Sequence, residues 1–135
     1  MSSYCDESGL PQLYRRMVFN LMCGNVDDHL RNHGFLYLDG AWRLAPAFDV
    51  TTCGSYTDQH QLHVYGKSKP DIIETAVECH SHFNLSKAQA CEIIREVAKA
   101  ASKWEQVAQM HDVRGIDLRN RLGWQKAIDL VGGSI

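Results

Sequence analysis

The 135-residue sequence lacks a long apolar run and a dense basic stripe, and these absences exclude two classes of protein. No stretch approaches the roughly 20 apolar residues that a helix needs to span a bilayer. With 14 basic and 16 acidic residues, the formal net charge is −2. This balance gives no electrostatic basis for nucleic-acid binding. We therefore expect neither a membrane protein nor a chain that contacts DNA by itself.

Paired cysteines and metal-binding motifs are also missing. The five cysteines are odd in number and scattered, and neither CxxC nor HExxH occurs among them and the seven histidines. Scattered cysteines indicate reduced thiols rather than a disulfide framework, and no zinc site is expected. The N-terminal sequence MSSYCDESGLPQ is polar and acidic, unlike a signal peptide. Together these features predict a cytoplasmic protein.

The hydrophobic periodicity predicts a mainly α fold with one short β-hairpin. Apolar residues recur at helical spacing over 11–23, and Gly24 is suited to end that helix. The segments 34–38 and 41–44 flank Asp39-Gly40, a strong signal for a two-residue hairpin turn. Without internal repeats or linkers, the chain is expected to form a single domain.

The second half of the sequence predicts helical support for this region. A short strand is expected at 61–65, and Pro70 suits the first turn of a helix in which Ile73, Ala76, Val77 and His80 share a face. Ser86 and Gln89 form a capping box that predicts one long helix from there to about Met110. A final helix is expected near 117–131.

One group of polar residues has the spacing of a phosphoryl-transfer site. Asp27 and Asn32 are separated by four residues, and Asp49 follows an aromatic residue beyond the hairpin. Kinases use such a set because the transferred phosphoryl group is highly charged: one carboxylate orients the substrate hydroxyl, while an amide and a second carboxylate hold Mg²⁺. Taken alone, an aspartate and an asparagine at this spacing are also typical of turns and helix caps.

The longer pattern around these residues is more specific. The run GNVDDHLRNHGFLYLDGAWRLAPAFDV resembles the C-terminal lobe of HipA-type serine/threonine kinases, the toxins of bacterial HipBA toxin–antitoxin pairs. Members of that family carry a GN-x-D-x-H-x-K/R-N loop, a short hairpin and then P-A-[YF]-D, and the resemblance covers roughly residues 11–110. It implies a protein-kinase-like C-terminal lobe over 11–135, after an N-terminal tail at 1–10, with the hairpin carrying the active-site residues.

The resemblance also implies roles for individual residues. Asp27 would be the catalytic residue that positions or deprotonates the substrate hydroxyl, and Asn32 and Asp49 would hold Mg²⁺ on ATP. His29 and Arg31 would lie beside the cofactor, His29 mainly supporting the loop through hydrogen bonds and Arg31 offering charge to the phosphates or to an ion pair. Asp28 is expected to be a solvated or capping neighbour. Asn25, with Gly24, is expected to shape the turn through a positive φ.

Part of a kinase is not recognisable in this sequence. No G-x-G-x-x-G loop is present, and no lysine precedes Lys67, so an N-terminal ATP-covering lobe is expected to be a missing partner. The isolated chain is then expected to be inactive. The resemblance further implies a protein substrate, an aminoacyl-tRNA synthetase in well-known members, and a HipB-like helix-turn-helix antitoxin through which DNA would be contacted indirectly.

Two other functions remain open from the sequence. Without the ATP-covering lobe, the chain could be a catalytically silent binding module derived from a HipA-like protein. Alternatively, it could belong to a small-molecule phosphotransferase of the same broad fold, since those enzymes also use D-x4-N and a later aspartate. The residues of the loop, together with Pro46-Ala47-Phe48-Asp49, favour the HipA type.

Overall fold

A computed structural model describes residues 7–51, 66, 72–112 and 129. Within these residues the chain forms four α-helices, one antiparallel hairpin and three short 3₁₀ turns. The helices are α1 (Leu10–Cys23), α2 (Ile72–Glu78), α3 (Lys87–Ala101) and α4 (Trp104–Met110); the strands are β1 (Phe35–Leu38) and β2 (Ala41–Leu44); the 3₁₀ turns are Glu7–Gly9, Leu30–Asn32 and His80–Phe83. The prediction of a mainly α fold with a short hairpin is confirmed.

The core lies between α1 and α3, with α2 closing one side. Val18, Leu21 and Met22 of α1 are buried, as the helical spacing over 11–23 predicts. They pack in one cluster with the apolar stripe of α3, which consists of Ala90, Ile93, Ile94, Val97, Ala98 and Ala101. Tyr14 is also completely buried, which the apolar periodicity of α1 did not indicate. A tyrosine can occupy a core position when its hydroxyl finds a hydrogen-bond partner.

Tyr14 finds that partner at the end of a neighbouring helix. Its hydroxyl donates to the carbonyl of Ala76 over 2.7 Å, and its ring meets that of Phe83 edge-on at 5.2 Å. Ala76 lies in the last turn of α2, where carbonyls have no partner within the helix. Burial raises the pKa of Tyr14, and the neighbouring Cys79 and Cys91 raise it further by a smaller amount. The hydroxyl therefore stays protonated and can donate.

Tyr14→Phe should lower the free energy of unfolding by about 0.5–1.5 kcal/mol, because the buried Ala76 carbonyl would lose its hydroxyl donor and keep only the weaker Cys79 thiol, 3.5 Å away. Urea unfolding followed by far-UV circular dichroism measures the loss. Tyr37→Phe is the matched control, since Tyr37 is 61% exposed on the hairpin. Equal stability of the Tyr14 variant and wild type would contradict the assigned hydrogen bond.

The hairpin forms at the predicted place. β1 pairs antiparallel with β2 in the register Phe35 with Leu44 through Leu38 with Ala41. Asp39 and Gly40 both have positive φ, 51° and 82°. A two-residue turn with both φ values positive matches the right-handed twist of the strands, which explains why Asp-Gly occurs there. The turn therefore fixes the register that brings the chain back towards the loop before β1.

The prediction of one continuous helix from Ser86 to Met110 is correct at its start but wrong at its end. Its capping box is present: the Ser86 hydroxyl accepts from the Gln89 amide, and the Gln89 side chain accepts from the Ser86 amide. Its apolar stripe is buried as far as Ala101. However, α3 ends there, and α4 buries none of its residues.

The break between α3 and α4 has a local cause. The Ser102 hydroxyl donates to the carbonyl of Lys99, the acceptor that the Lys103 amide would use in a continuous helix. The Lys103 amide bonds instead to the Ala100 carbonyl, which tightens the chain into a turn. Serine side chains compete in this way with the helical ladder, so an apolar stripe by itself did not predict the end of α3.

Some predictions fall outside the described residues. They are the strand at 61–65, the helix start at Pro70 and almost all of the helix near 117–131. In α2, Ala76 is buried, Ile73 and Val77 are half-buried, and His80 follows the helix in a 3₁₀ turn. Over the residues that are described, no helix has the length and apolar character required to cross a membrane.

Candidate active site

The loop with the predicted catalytic residues begins where α1 ends. Gly24 has a φ of 66° and donates its amide to the Asn20 carbonyl, which also accepts the Asn25 amide over 2.9 Å. The Asn25 side chain donates to the Asn20 side chain at 3.3 Å, and both are buried. Of the predicted pair, only Gly24 adopts a positive φ; Asn25 instead anchors the loop to α1 through hydrogen bonds.

Gly24→Ala should destabilise the protein by about 1–2 kcal/mol, because an alanine is strained in the left-handed conformation. A Cβ at this position would meet nothing within 4 Å, so the penalty comes from the backbone alone. Gly24→Asn should lose less, since asparagine tolerates this conformation. Thermal unfolding of both variants tests the order, and an alanine variant as stable as the asparagine variant would contradict it.

The loop then makes a tight turn around Asn32. Residues Leu30–Asn32 form a 3₁₀ turn in which the Asn32 amide donates to the His29 carbonyl over 2.8 Å. Asp27, before this turn, is exposed, and so is Arg31 within it. His29 is half-buried, and its Nδ1 has no hydrogen-bond partner among the described residues. The expected hydrogen-bonding support from His29 is therefore not seen at this atom.

The imidazole that supports the loop is His33. Its Nε2 lies 2.9 Å from Oδ1 of Asp28, and both side chains are largely shielded from solvent. Asp28 is only 9% exposed, so the expectation of a solvated or capping residue is wrong. A buried carboxylate requires a donor close by, because leaving it unpaired away from water is unfavourable. His33 supplies that donor from five residues further along the chain.

The segment after the hairpin returns to this loop. The Ala45 amide donates to the Gly34 carbonyl over 2.9 Å, and the Arg16 guanidinium of α1 donates through Nη2 to the Ala45 carbonyl. The Phe48 ring lies against Gly34, its Cε1 only 3.3 Å from where a Cβ would stand. Asp49 follows with a φ of 53°, a left-handed conformation that aspartate tolerates better than most residues.

These elements enclose a cleft of about 310 Å³. Asn32 and Asp49, 17 positions apart in the sequence, both line it. Asp28 and His33 line it as well, and α3 contributes Val97 and Ala100. Asp27, His29 and Arg31 are not among the lining residues. The structure thus brings the two predicted Mg²⁺ ligands to one cleft and leaves Asp27 on the exposed surface of the loop.

Two arginines of α1 give the cleft positive charge. Arg15 and Arg16 both line it. Arg15 forms an exposed ion pair with Glu96 of α3, a contact of the kind that adds at most about 1 kcal/mol. Burial lowers the pKa of Arg16, yet a guanidinium remains charged at neutral pH. Its Nε and Nη1 are buried and have no hydrogen-bond partner among the described residues.

Neither arginine was predicted as a site residue, although the helical periodicity contains a signal for Arg16. Gln12, Arg16 and Asn20 recur at four-residue spacing, and all three line the cleft. Residues four apart share a helix face, here a face different from that of Val18 and Leu21 in the core. A polar stripe on an otherwise apolar helix, directly before a polar loop, could have predicted a cleft on this side.

The oxygen donors in the cleft fit Mg²⁺ on a nucleotide. Asn32 and Asp49 offer an amide and a carboxylate, the hard ligands that Mg²⁺ takes from proteins while keeping waters and phosphate oxygens. No cluster of three His, Cys, Asp or Glu side chains suited to a metal occurs in the part of the chain that the structure describes. A nucleotide-bound Mg²⁺ needs no such cluster, since phosphates complete its coordination.

Comparison with known proteins adds one finding to this geometry. No curated protein and no solved structure matches the chain. The family model described as HipA-like C-terminal domain, in contrast, matches residues 1–104, which include α1, the loop, the hairpin, the cleft and α3. Because this match spans well over half of the sequence, the chain belongs to the HipA-like C-terminal domain family.

Proposed function

We propose that this chain is the C-terminal, Mg²⁺-holding lobe of a HipA-like serine/threonine protein kinase, whose complete form moves the γ-phosphoryl group of ATP to a protein hydroxyl. The observation that carries the proposal is that Asn32 and Asp49 line one cleft together with Arg15 and Arg16. Oxygen ligands for a metal beside fixed positive charge suit a triphosphate, whose transfer depends on positioning and charge stabilisation. Membership of the HipA-like family supports the same reading.

Each residue would have a distinct part in this reaction. Asn32 and Asp49 would hold Mg²⁺, which supplies charge neutralisation on the β- and γ-phosphates. Asp27 would orient the substrate hydroxyl and accept its proton. Its exposed position outside the cleft suits a hydroxyl that belongs to a large protein. His29 and Arg31 do not line the cleft, so they would contact only a part of the nucleotide that extends beyond it.

The partners follow from the family. A HipA-like toxin works with a HipB-like antitoxin, so we propose such an antitoxin as the regulatory partner and the route of any indirect contact with DNA. The substrate would be a protein, with an aminoacyl-tRNA synthetase as the first to test. An ATP-covering lobe with a Gly-rich loop and a lysine would complete the nucleotide site.

Calorimetric titration of the folded chain with Mg-ATP tests whether the cleft binds a nucleotide through Mg²⁺. Binding heat that disappears when EDTA removes Mg²⁺ is the expected result, because the cleft would contact the nucleotide largely through the metal. Adding a HipA-type ATP-covering lobe should then permit transfer of labelled phosphate to a protein substrate. A folded chain that gives the same result with ATP in the presence and absence of Mg²⁺ would contradict the proposal.

The exposed hairpin favours a second candidate, a docking module for another protein domain. Leu36, Tyr37, Leu38 and Trp42 are all at least 45% exposed, and the rings of Tyr37 and Trp42 lie 5.4 Å apart. An apolar patch of this kind on both strands is typical of an interaction surface. Co-purification with an ATP-covering lobe should be lost in Trp42→Ser but kept in the control Val107→Ser, which alters an exposed valine on α4.

A further inference from the structure

The Asp28–His33 pair lies next to the two proposed functional residues of the loop in the sequence. Asp28 directly follows Asp27, the proposed catalytic residue, and His33 directly follows Asn32, a proposed Mg²⁺ ligand. The 2.9 Å contact between the Asp28 carboxylate and His33 Nε2 therefore closes a six-residue loop at both ends.

Few other contacts hold the backbone inside this loop. The Asn32 amide bonds to the His29 carbonyl at 2.8 Å, and the His33 amide bonds to the Leu30 carbonyl at a longer 3.3 Å. A 3₁₀ turn of three residues has weaker hydrogen-bond geometry than an α-helix and is only marginally stable by itself. Leu30, the first residue of the turn, is 77% exposed and supplies little packing.

The pair also faces the cleft rather than the hydrophobic core. Asp28 and His33 both line the cavity that Asn32 and Asp49 share, and neither belongs to the apolar cluster between α1 and α3. A buried carboxylate and imidazole beside a metal site commonly fix the orientation of the residues that bind the metal. A contact needed only for folding could have been made by apolar side chains at lower desolvation penalty.

We propose that Asp28 and His33 form a clamp that fixes the 28–33 loop, so that the Asn32 side chain meets Asp49 at the spacing a divalent cation requires. Both are positioning residues, since they act through Asn32 and touch no reacting atom. The clamp deepens the proposed function and rests on it for the identity of the ligand. Its hydrogen bond needs an acceptor at position 28 and a donor at position 33, and it does not depend on the carboxylate charge.

Mn-ATP as a stand-in for Mg-ATP tests the clamp without catalysis. Calorimetric titration of the full chain with Mn-ATP should show affinity about 10–100-fold weaker in His33→Ala and Asp28→Ala, the range seen when supporting residues of metal ligands are removed. Asp28→Asn should bind nearly as wild type, because its amide oxygen still accepts from His33. His80→Ala is the matched control: His80 Nδ1 lies 2.8 Å from the Val77 carbonyl, away from the cleft.

Amide hydrogen exchange gives a second test of the clamp, and this test requires no metal. Exchange at Asn32 and His33 should accelerate about tenfold or more in His33→Ala and stay near wild type in Asp28→Asn, while the buried Ile94 amide is unchanged in both. This comparison separates a loosened loop from a protein that has lost its fold. Equal exchange at Asn32 in His33→Ala and wild type would overturn the clamp.

The two proposals fail in different ways. If Asp49→Asn loses Mn-ATP binding while His33→Ala binds as tightly as wild type, the clamp is overturned and the kinase proposal stands. If wild type and Asp49→Asn bind Mn-ATP equally, the proposed metal site is wrong, and the clamp is overturned with it. Loss of affinity in Asp28→Asn equal to that in Asp28→Ala would overturn the hydrogen-bonding basis of the clamp.

Discussion

Replacing Asp49 with asparagine should weaken Mg-ATP binding by at least about 100-fold. This loss is at or above the upper end of the range observed when a residue that only supports a metal ligand is removed. The carboxylate is the only charged oxygen ligand proposed for the metal, and an amide attracts Mg²⁺ far less strongly. The substitution is nearly isosteric, and asparagine tolerates the left-handed backbone at this position, where φ is 53°. The loss should therefore be one of binding and not of folding.

Asp39→Asn is the control for this experiment. Asp39 has a nearly identical φ of 51°, but it lies exposed at the hairpin turn and pairs only loosely with Arg43 at 3.5 Å. Calorimetry should show unchanged Mg-ATP binding in this variant. If Asp49→Asn bound Mg-ATP as tightly as Asp39→Asn, Asp49 would not be a metal ligand.

Asp27→Asn should separate binding from transfer. Asp27 is exposed and lies outside the cleft lining, so its loss should leave Mg-ATP affinity close to wild type. In the presence of an ATP-covering lobe and a protein substrate, the same variant should lose phosphoryl transfer, because nothing else in the loop is assigned to orient the hydroxyl. Comparing the two aspartate variants in both assays assigns the metal and the hydroxyl to different residues.

Ile94→Ala should have the largest effect on stability, lowering the free energy of unfolding by about 2–5 kcal/mol. Ile94 is completely buried within the apolar cluster that α1 and α3 form, where removing three methyl or methylene groups leaves a cavity. Such a loss is a large fraction of the roughly 5–15 kcal/mol that stabilises a typical domain. Denaturant unfolding measures it directly.

Two further substitutions serve as references for the stability loss in Ile94→Ala. Ile94→Val removes one methylene and should reduce the free energy of unfolding by about 0.5–1.5 kcal/mol. Val107→Ala, on α4, alters a side chain that is 51% exposed and should change it by less than about 0.5 kcal/mol. An Ile94→Ala variant no less stable than Val107→Ala would mean that α1 and α3 do not form the core. Because both helices line the cleft, a loosened core should also weaken Mg-ATP binding.

The parts of the fold that the sequence predicted correctly depend on local rules. Gly24 ends α1 because it adopts a left-handed conformation, Asp39-Gly40 sets a two-residue turn, and Ser86 caps α3. Each of these signals acts within about five residues of the chain, so neighbouring residues are enough to determine it. The end of α3 was missed because Ser102 resembles an ordinary helix residue until its hydroxyl takes the Lys99 carbonyl.

The candidate site was predicted only in part, for a different reason. The pattern around Asp27, Asn32 and Asp49 named residues, but the pairing of Asp28 with His33 could not be read from it. Adjacent aspartates look equivalent in a sequence, and only the path of the loop decides which one turns inward. Here Asp28 is buried and Asp27 is exposed.

The sequence by itself determined the family, the mainly helical composition, the hairpin and the residue types suited to phosphoryl transfer. The tertiary structure alone decided which of these residues share a cleft. It placed Arg16 of α1 against the Ala45 carbonyl, returned Asp49 to the cleft that Asn32 lines, and left Asp27 outside it. The physical reason is that helix caps and turns follow from neighbouring residues, whereas a cleft is formed where distant segments pack.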